Sequence, residues 1–249
     1  LGGLGFAIVG DALARGRWSR MALETKLVLS TTAALLVGGT LLIGFTEWSN
    51  PLTLGALPTE QRMLNALFES TTLRTAGFTA LDTGAFAEAT LFVVMALMFI
   101  GGASGSASGG VRLNTVGVVL AAVASTLRGH AETQLWGRRL ATPLVFRAVT
   151  VIVVFLLIYG VGTVGLSTAE HYGGDRQTGM IDLMFESMSA LATVGVSTGV
   201  TPSLTAAGKL VLCTLMLVGH LGPLITVYAL QRRQRPERYR FPEEAVRIG

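Results

Sequence analysis

The stretch "MALMFIGGASGSASGGVRLN" (residues 95–114) decides how this chain folds, because its middle does not suit a helix. An apolar run ends at Ile100, and residues 101–110 are only glycine, serine and alanine. A second apolar run follows at 111–127. Each glycine costs a helix about 1 kcal/mol relative to alanine, so the stretch predicts one long apolar helix that is broken in its middle.

The composition of the chain indicates lipid rather than water as its solvent. Hydrophobic residues make up 51% of the 249 residues and charged residues only 14%, whereas about 25% is usual in soluble domains. The net charge of +4 is too small to indicate a nucleic-acid partner, and none is expected. The single cysteine excludes a disulfide within the chain.

Four apolar stretches are long enough to cross a bilayer, which takes about 20 residues. They lie at 27–45, 87–127, 144–166 and 204–230. The second has about twice the required length, so the small-residue stretch inside it must interrupt the helix. The sequence therefore predicts a multi-pass membrane protein.

Two shorter amphipathic stretches, 62–73 and 180–192, are too short to cross a membrane. Each leads into a threonine–glycine segment and predicts a re-entrant helix that enters the bilayer and stops. Of the 19 basic residues, 13 flank the same ends of the spans, whereas the opposite loops hold Arg62 and Arg176. The basic ends, with the C-terminal tail, are predicted to face the cytoplasm.

An internal repeat organises the chain. "LNALFESTTLRTAGFT" (64–79) is similar to "IDLMFESMSALATVGVS" (181–197), and Gly77 and Gly195 lie 118 positions apart. Gly101 and Gly219 have the same separation. Aligning Gly2 with Gly219 predicts that the chain starts inside the inner helix of a preceding repeat.

The predicted fold class is an all-α integral membrane protein with two complete repeats after the end of an earlier one. Each repeat contains an outer helix, a re-entrant pore helix, an extended segment and an inner helix, and parallel repeats must gather around an axis. The predicted segments are 1–20 (preceding inner helix and cytoplasmic linker), 21–140 (third repeat), 141–231 (fourth repeat) and 232–249 (cytoplasmic tail).

The two threonine–glycine segments carry chemistry that favours a cation. Non-helical backbone at membrane depth leaves carbonyls unpaired, and rings of such carbonyls can replace the hydration shell of an alkali cation. Glycine also permits backbone angles closed to other residues. The predicted ion-binding residues are Thr75, Ala76, Gly77 and Phe78 in one repeat, and Thr193, Val194, Gly195 and Val196 in the other.

Five motifs spread over essentially the whole chain resemble those of the Ktr/Trk/HKT potassium-transporter superfamily, especially the membrane subunit of bacterial Ktr systems. They are "STTLRTAGFTALDTG", "GGASGSASGGVR", "SALATVGVSTGVTPSLTAAGKL", "GHLGPL" and "FPEEAVRIG". The resemblance implies the C-terminal part of a four-repeat subunit arranged around a pseudo-fourfold pore. It implies a selectivity filter with one central glycine from each repeat, here Gly77 and Gly195.

The resemblance also implies that the small-residue stretch is a gate beneath the filter. The alternative interpretation is a close helix-packing patch, although packing needs spaced small residues rather than ten in a row. The family commonly has an arginine facing the gate where this chain has His220, and a histidine is positive only when protonated. The predicted gate residues are Gly101, Gly102, Ser104, Gly105, Ser106, Ser108, Gly109, Gly110, Arg112 and His220.

By this resemblance, the chain is expected to take up potassium across the plasma membrane, with sodium as a second candidate ion. The expected partners are a second copy of the subunit, a cytosolic nucleotide-binding regulatory ring and membrane lipids. We expect no covalently bound cofactor and no metal beyond potassium.

Two charged residues, Glu69 and Glu186, occupy equivalent positions on the short stretches. Ionisable groups at membrane depth are costly and are usually paired or functional. We predict that both glutamates support the filter from behind rather than contact the ion. Arg74 is a candidate partner for either of them.

Two other functions are compatible with some of these residues. Ser104, Ser106 and Ser108 suggest the nucleophile of a membrane enzyme, but no histidine or lysine lies at a suitable spacing and the repeat would be unexplained. A secondary transporter with broken helices and a small-solute site is the other alternative. The threonine–glycine segment after each re-entrant helix favours a pore.

Overall fold

The computed structural model describes residues 2–106, 108–130, 132–173 and 178–232. Arg176 and nearly all of the predicted tail lie outside these residues. The helices in this part of the chain are α1 (Phe6–Arg15), α2 (Leu23–Glu47), α3 (Thr59–Thr72), α4 (Glu88–Phe99), α5 (Leu113–Leu127), α6 (Thr142–Gly173), α7 (Met180–Leu191) and α8 (Ala206–Arg232).

The order of these elements repeats once. A long helix (α2 or α6) is followed by a short one (α3 or α7), an extended segment and an inner helix. Within the described residues, α2 and α6 are long and apolar enough to cross a membrane. Only 6% of the most apolar window of α6 is buried, so this helix presents apolar side chains outward on nearly all sides. Such a helix suits lipid rather than water.

The inner helix of the first repeat is broken where the small residues predict the break. Helix α4 ends at Phe99 and α5 begins at Leu113. The two halves are about 18 Å and about 22 Å long, and neither can cross an apolar core of about 30 Å alone. Around the break, the N–H of Gly101 donates to the carbonyl of Val111 at 2.9 Å, and Leu113 N–H donates to the carbonyl of Gly102 at 2.9 Å.

The largest buried cluster joins the two repeats near their short helices. It includes Leu73, Val94 and Met98 from the first repeat and Phe185 and Val194 from the second. Helix α4 packs on α7, while each short helix packs on a membrane-length helix of its own repeat. The core therefore places the two threonine–glycine segments side by side.

A small β-hairpin between α5 and α6 was not predicted from the sequence. Its strands, β1 (Gln134–Leu135) and β2 (Arg138–Arg139), pair antiparallel. Two-residue strands are too short to produce an alternating hydrophobic pattern, which is the signal for a strand. Apart from this hairpin, the regular secondary structure of the described residues is helical, as predicted.

Candidate functional site

The two threonine–glycine segments, 75–78 and 193–196, adopt the same unusual backbone. Thr75 (φ 70°) and Gly77 (φ 74°) lie in the left-handed region, as do Thr193 (φ 53°) and Gly195 (φ 88°), and the residue between each pair has a negative φ. A left-handed conformation costs a non-glycine residue about 1–2 kcal/mol, so the surroundings must hold it. Alternation between the two backbone regions turns successive backbone groups toward the same side.

The first three carbonyl oxygens of each segment accept no hydrogen bond from the described residues. No residue in the described part of the chain donates to the carbonyls of residues 75–77 or 193–195. Backbone carbonyls at membrane depth need a partner, and unpaired ones are tolerated where they line a watery path. These six carbonyl oxygens can coordinate a cation through their lone pairs. A carbonyl is not a hydrogen-bond donor, so it does not bind an anion.

Gly77 and Gly195 bring the two segments into contact. A Cβ atom at residue 77 would lie 2.6 Å from the carbonyl oxygen of Val194, which is too close for any side chain. A Cβ atom at residue 195 would lie 3.8 Å from the Cα atom of Gly77, an ordinary contact. Both positions need a left-handed φ, but only residue 77 also lacks space.

The last residue of each segment is tied to its own short helix. The Thr72 hydroxyl donates to the carbonyl of Phe78 at 2.5 Å and accepts from the Phe78 N–H at 2.9 Å. In the second repeat, the Ser189 hydroxyl donates to the carbonyl of Val196 at 2.5 Å. These two carbonyls therefore anchor the segments, unlike the six that precede them.

Glu69 and Glu186 fasten the chain just beyond each segment to the short helix. Both carboxylates are buried, as the scaffold prediction requires. The donors are Ala80 N (2.9 Å) and Leu81 N (3.3 Å) for Glu69, and Ser197 Oγ (2.5 Å), Thr198 N (3.0 Å) and Thr201 Oγ1 (2.7 Å) for Glu186.

Arg74 does not pair with either glutamate, so that candidate pairing was wrong. Within the described residues, the guanidinium forms no ion pair. Its Nη1 donates to the carbonyl of Thr32 at a long 3.5 Å, and its Nε is buried without an acceptor. Among the described residues, the carboxylates of the two glutamates are stabilised by hydrogen bonds from neutral N–H and O–H groups and not by a cation.

Two further buried glutamates were missed by the sequence analysis. Glu47, in α2, accepts from the N–H of Ala87 at 2.9 Å, and Glu170, in α6, accepts from the N–H of Thr205 at 3.0 Å. Ala87 and Thr205 directly precede the two inner helices α4 and α8. Each carboxylate thus binds the N–H group directly before the inner helix of its own repeat. The only sequence signal was a glutamate near the end of each outer span.

The small-residue loop, 101–110, is held by Arg112. The guanidinium Nη1 donates to the carbonyl of Ala103 at 3.3 Å and to the carbonyl of Ser106 at 3.1 Å. The Ser106 and Ser108 hydroxyls lie 2.6 Å apart in a hydrogen bond with each other. The loop is therefore a closed, internally bonded structure and not an open strand.

The loop lies against the beginning of the second threonine–glycine segment. A Cβ atom at Gly109 would lie 2.6 Å from the carbonyl oxygen of Ala192 and 3.0 Å from the Cβ of Thr193. A cavity of about 430 Å³ lies beside the loop and the first segment. Its lining includes Thr75, Ala76, Gly102 and Ser108, together with Gly3, Leu4, Thr32, Leu36, Thr71 and Arg74.

His220 lies on α8, one residue after a tight helix contact. A Cβ atom at Gly219 would overlap the carbonyl oxygen of Leu191, so α8 packs directly on the end of α7. The His220 side chain is exposed, and in the described part of the chain it forms no hydrogen bond with the small-residue loop. Arg112 is instead the basic residue that contacts the loop.

The TrkH family, described as "Cation transport protein", matches residues 1–237 of this sequence. The chain belongs to the TrkH family. This membership confirms the family predicted from the five motifs, and it confirms a transport protein rather than an enzyme.

Characterised relatives extend the comparison over the whole chain. Ktr system potassium uptake protein B of Bacillus subtilis is 36% identical over 248 residues, covering 100% of this chain and 54% of that protein. The potassium/sodium uptake protein NtpJ of Enterococcus hirae is 37% identical over 250 residues, covering 100% of this chain and 55% of that protein. The chain thus spans about half the length of these relatives.

A solved structure supports the fold. The crystal structure of the potassium transporter TrkH from Vibrio parahaemolyticus superposes with a TM-score of 0.66 at 19% identity, over 96% of this chain and 50% of that one. The all-α membrane fold predicted from the apolar stretches is therefore confirmed.

Proposed function

We propose that this chain is the C-terminal half of a membrane subunit that takes up potassium through a selectivity filter. One observation carries the proposal: two adjacent segments share an alternating backbone, and six of their carbonyls have no donor in the described part of the chain. A cation that has lost part of its water needs such a ring of oxygens. The Bacillus relative is named as a potassium uptake protein, which supports potassium as the ion.

In this proposal, the carbonyls of residues 75–77 and 193–195 contact the ion. Phe78 and Val196 hold the outer end of each segment through the hydroxyls on the short helices. The C-terminal ends of α3 and α7 point their partial negative charge toward the segments, which favours a cation. Two more repeats, from the part of the relatives that this chain does not cover, complete a pseudo-fourfold ring.

The small-residue loop is proposed to be the gate. It lies against Ala192 and Thr193, where it would obstruct an ion leaving the second segment. Arg112 holds the loop, and His220 faces the path from α8 once the other repeats are present. A loop of glycine, serine and alanine can rearrange at little cost, because few side-chain contacts must be broken.

The remaining parts of the proposal rest on the family resemblance and on the placement of charge. The subunit acts as a homodimer on a cytosolic nucleotide-binding ring, in the plasma membrane with its C-terminus in the cytoplasm. Repeat boundaries at 21–140 and 141–231 are part of the proposal, and the repeated order of elements supports them. Sodium is proposed as a second ion, since the Enterococcus relative is named for both ions.

The test uses the full-length protein that contains this chain, reconstituted in liposomes. Parental protein is expected to admit potassium in preference to sodium. Gly195→Ser should reduce this preference by about tenfold or more, because it strains a left-handed backbone and places a hydroxyl beside the carbonyls. Potassium and sodium uptake are measured in parallel by ion-sensitive fluorescence.

Unchanged selectivity in a well-inserted Gly195→Ser protein contradicts the filter. The alternative, a secondary transporter of a small solute, predicts a different result. In that case, cation flux would require the solute, whereas the proposed pore carries potassium when it is the only solute offered.

A further inference from the structure

The linker before α2 and the hairpin before α6 meet in an aromatic pair. The rings of Trp18 and Trp136 pack edge to face, with centroids 6.2 Å apart. About half of each side chain remains exposed, 48% for Trp18 and 47% for Trp136. Each tryptophan precedes a membrane-length helix by only a few residues. Indoles at such positions lie at the boundary between hydrocarbon and water.

Trp136 occupies a turn position that does not favour tryptophan. The hairpin turn consists of Trp136 (φ 47°) and Gly137 (φ 73°), both left-handed. Asparagine or aspartate is preferred at the first position of this turn. Other contacts hold the hairpin: Gln134 N–H donates to Ser125 Oγ at 3.0 Å, and Leu135 packs on the helices. The strained backbone at Trp136 therefore suggests that the indole has a function at the surface.

Basic residues lie within two positions of each tryptophan in the sequence. Arg17, Arg20 and Arg138 are exposed, and none forms an ion pair within the described residues. By contrast, Arg15 pairs with Asp11 at 2.6 Å and Arg139 pairs with Glu132 at 2.9 Å. Five residues, Arg17, Trp18, Arg20, Trp136 and Arg138, therefore form an indole–arginine patch with three uncompensated positive charges.

We propose that the indole–arginine patch binds the headgroup of an anionic phospholipid. Guanidinium groups form paired, charge-assisted hydrogen bonds with phosphate, and the indoles pack on the adjoining glycerol and acyl carbons. Positive charge beside a membrane attracts anionic lipid.

The position of the patch favours a lipid over a soluble anion or an acidic protein. The exposed apolar surface of α6 begins at Leu144 and Phe146, directly after the hairpin. A ligand at the patch therefore meets both positive charge and a lipid-facing helix. Among anionic ligands, a phospholipid is the one whose apolar chains continue along that helix.

The test measures lipid retention by the full-length protein in detergent, using native mass spectrometry. Phosphatidylglycerol or phosphatidylcholine with identical acyl chains is added at increasing concentration. The triple variant Arg17→Gln/Arg20→Gln/Arg138→Gln is expected to weaken phosphatidylglycerol retention by about tenfold or more and to leave phosphatidylcholine retention unchanged. Lys209→Gln is the matched control, because it removes an exposed positive charge outside the patch. Lys209 lies in the first turn of α8, where its Nζ donates to the Pro202 carbonyl at 2.9 Å.

A second variant, Trp136→Asn, separates lipid binding from folding. It supplies a residue that the turn favours, so the melting temperature should not fall, whereas phosphatidylglycerol retention should. Unchanged phosphatidylglycerol retention in both variants overturns the proposal. An equal loss of phosphatidylcholine, binding of glycerol phosphate as tight as that of phosphatidylglycerol, or loss of only an acidic protein partner would also overturn it.

Discussion

Gly77 and Gly195 have equivalent positions in the repeat but different surroundings. Both need a left-handed φ, which any other residue adopts at a cost of about 1–2 kcal/mol. Only Gly77 faces a carbonyl oxygen at 2.6 Å from the position of a Cβ atom. The two glycines therefore separate the effect of backbone strain from the effect of crowding.

Alanine at these two positions should have unequal effects on potassium uptake by the full-length protein. Gly77→Ala must displace the Val194 carbonyl, so we expect uptake to fall well below that of Gly195→Ala. Gly199→Ala is the control, because Gly199 has a φ of 93° and open space but lies beyond the segment. Rates are measured as potassium uptake per inserted protein. Equal losses in all three variants would show that backbone strain alone matters.

Glu186 and Glu69 offer a test between support of the filter and direct ion contact. Removing Glu186 leaves the buried N–H of Thr198 unpaired, which costs about 1–3 kcal/mol. Removing Glu69 leaves the partly buried N–H groups of Ala80 and Leu81 unpaired, at a smaller cost. Glu186→Ala should therefore lower stability and potassium selectivity together, and Glu69→Ala should do the same. Glutamine retains an oxygen that accepts from the same N–H groups, so Glu186→Gln and Glu69→Gln should restore most of both. Failure of glutamine to restore uptake in a stable protein would indicate that the ion needs the negative charge.

Among the elements, the broken inner helix is the one for which we propose a gating role. Its halves, α4 and α5, end and begin around a loop that Arg112 holds through the carbonyls of Ala103 and Ser106. A guanidinium makes several directed hydrogen bonds from one planar group, which a lysine cannot reproduce. The Arg112 side chain therefore holds the loop closed together with the backbone hydrogen bonds of Gly101 and Gly102.

Loosening the loop should increase ion flux. Arg112→Gln removes the charge-assisted bonds, and deletion of residues 104–108 shortens the loop itself. Both are expected to raise potassium flux several-fold and to make it less dependent on a regulatory partner, with Arg112→Lys intermediate. Flux is measured in liposomes with and without the partner. Parental flux in an inserted deletion variant would argue against a gate.

For the whole molecule, the sequence predicts what depends on local pattern and misses what depends on distant contacts. Apolar length predicts α2 and α6, and the run of small residues predicts the break between α4 and α5. The roles of Glu47 and Glu170 could not be predicted, because their partners lie 35 to 40 residues further along the chain. The left-handed φ of Thr75 was also missed, since threonine rarely adopts it.

The outward-facing surface of α6 gives a test of how the whole molecule sits in the membrane. Val161 is 74% exposed in the middle of this helix. A surface substitution in water usually changes stability by less than about 0.5 kcal/mol, whereas aspartate within a bilayer span costs about 2.5–3.5 kcal/mol. Val161→Asp should therefore sharply reduce the amount of inserted protein, measured as membrane-bound fluorescence of a fused reporter.

The control for this test is Thr142→Asp, at the first residue of the same helix. An acidic residue suits a helix N-terminus at the membrane boundary, so insertion should be unaffected. If both variants insert as well as the parent, the outward surface of α6 does not face lipid.

The contact of Gly109 with Thr193 has a consequence for how such a chain can evolve. The small-residue loop belongs to one copy of the repeat, and the segment against which it lies belongs to the other. The two copies are therefore not interchangeable, because the first contains a loop that lies against the second. A chimera with two first copies would have two loops competing for one place, and a chimera with two second copies would have none. Selection must act on the copies as a pair.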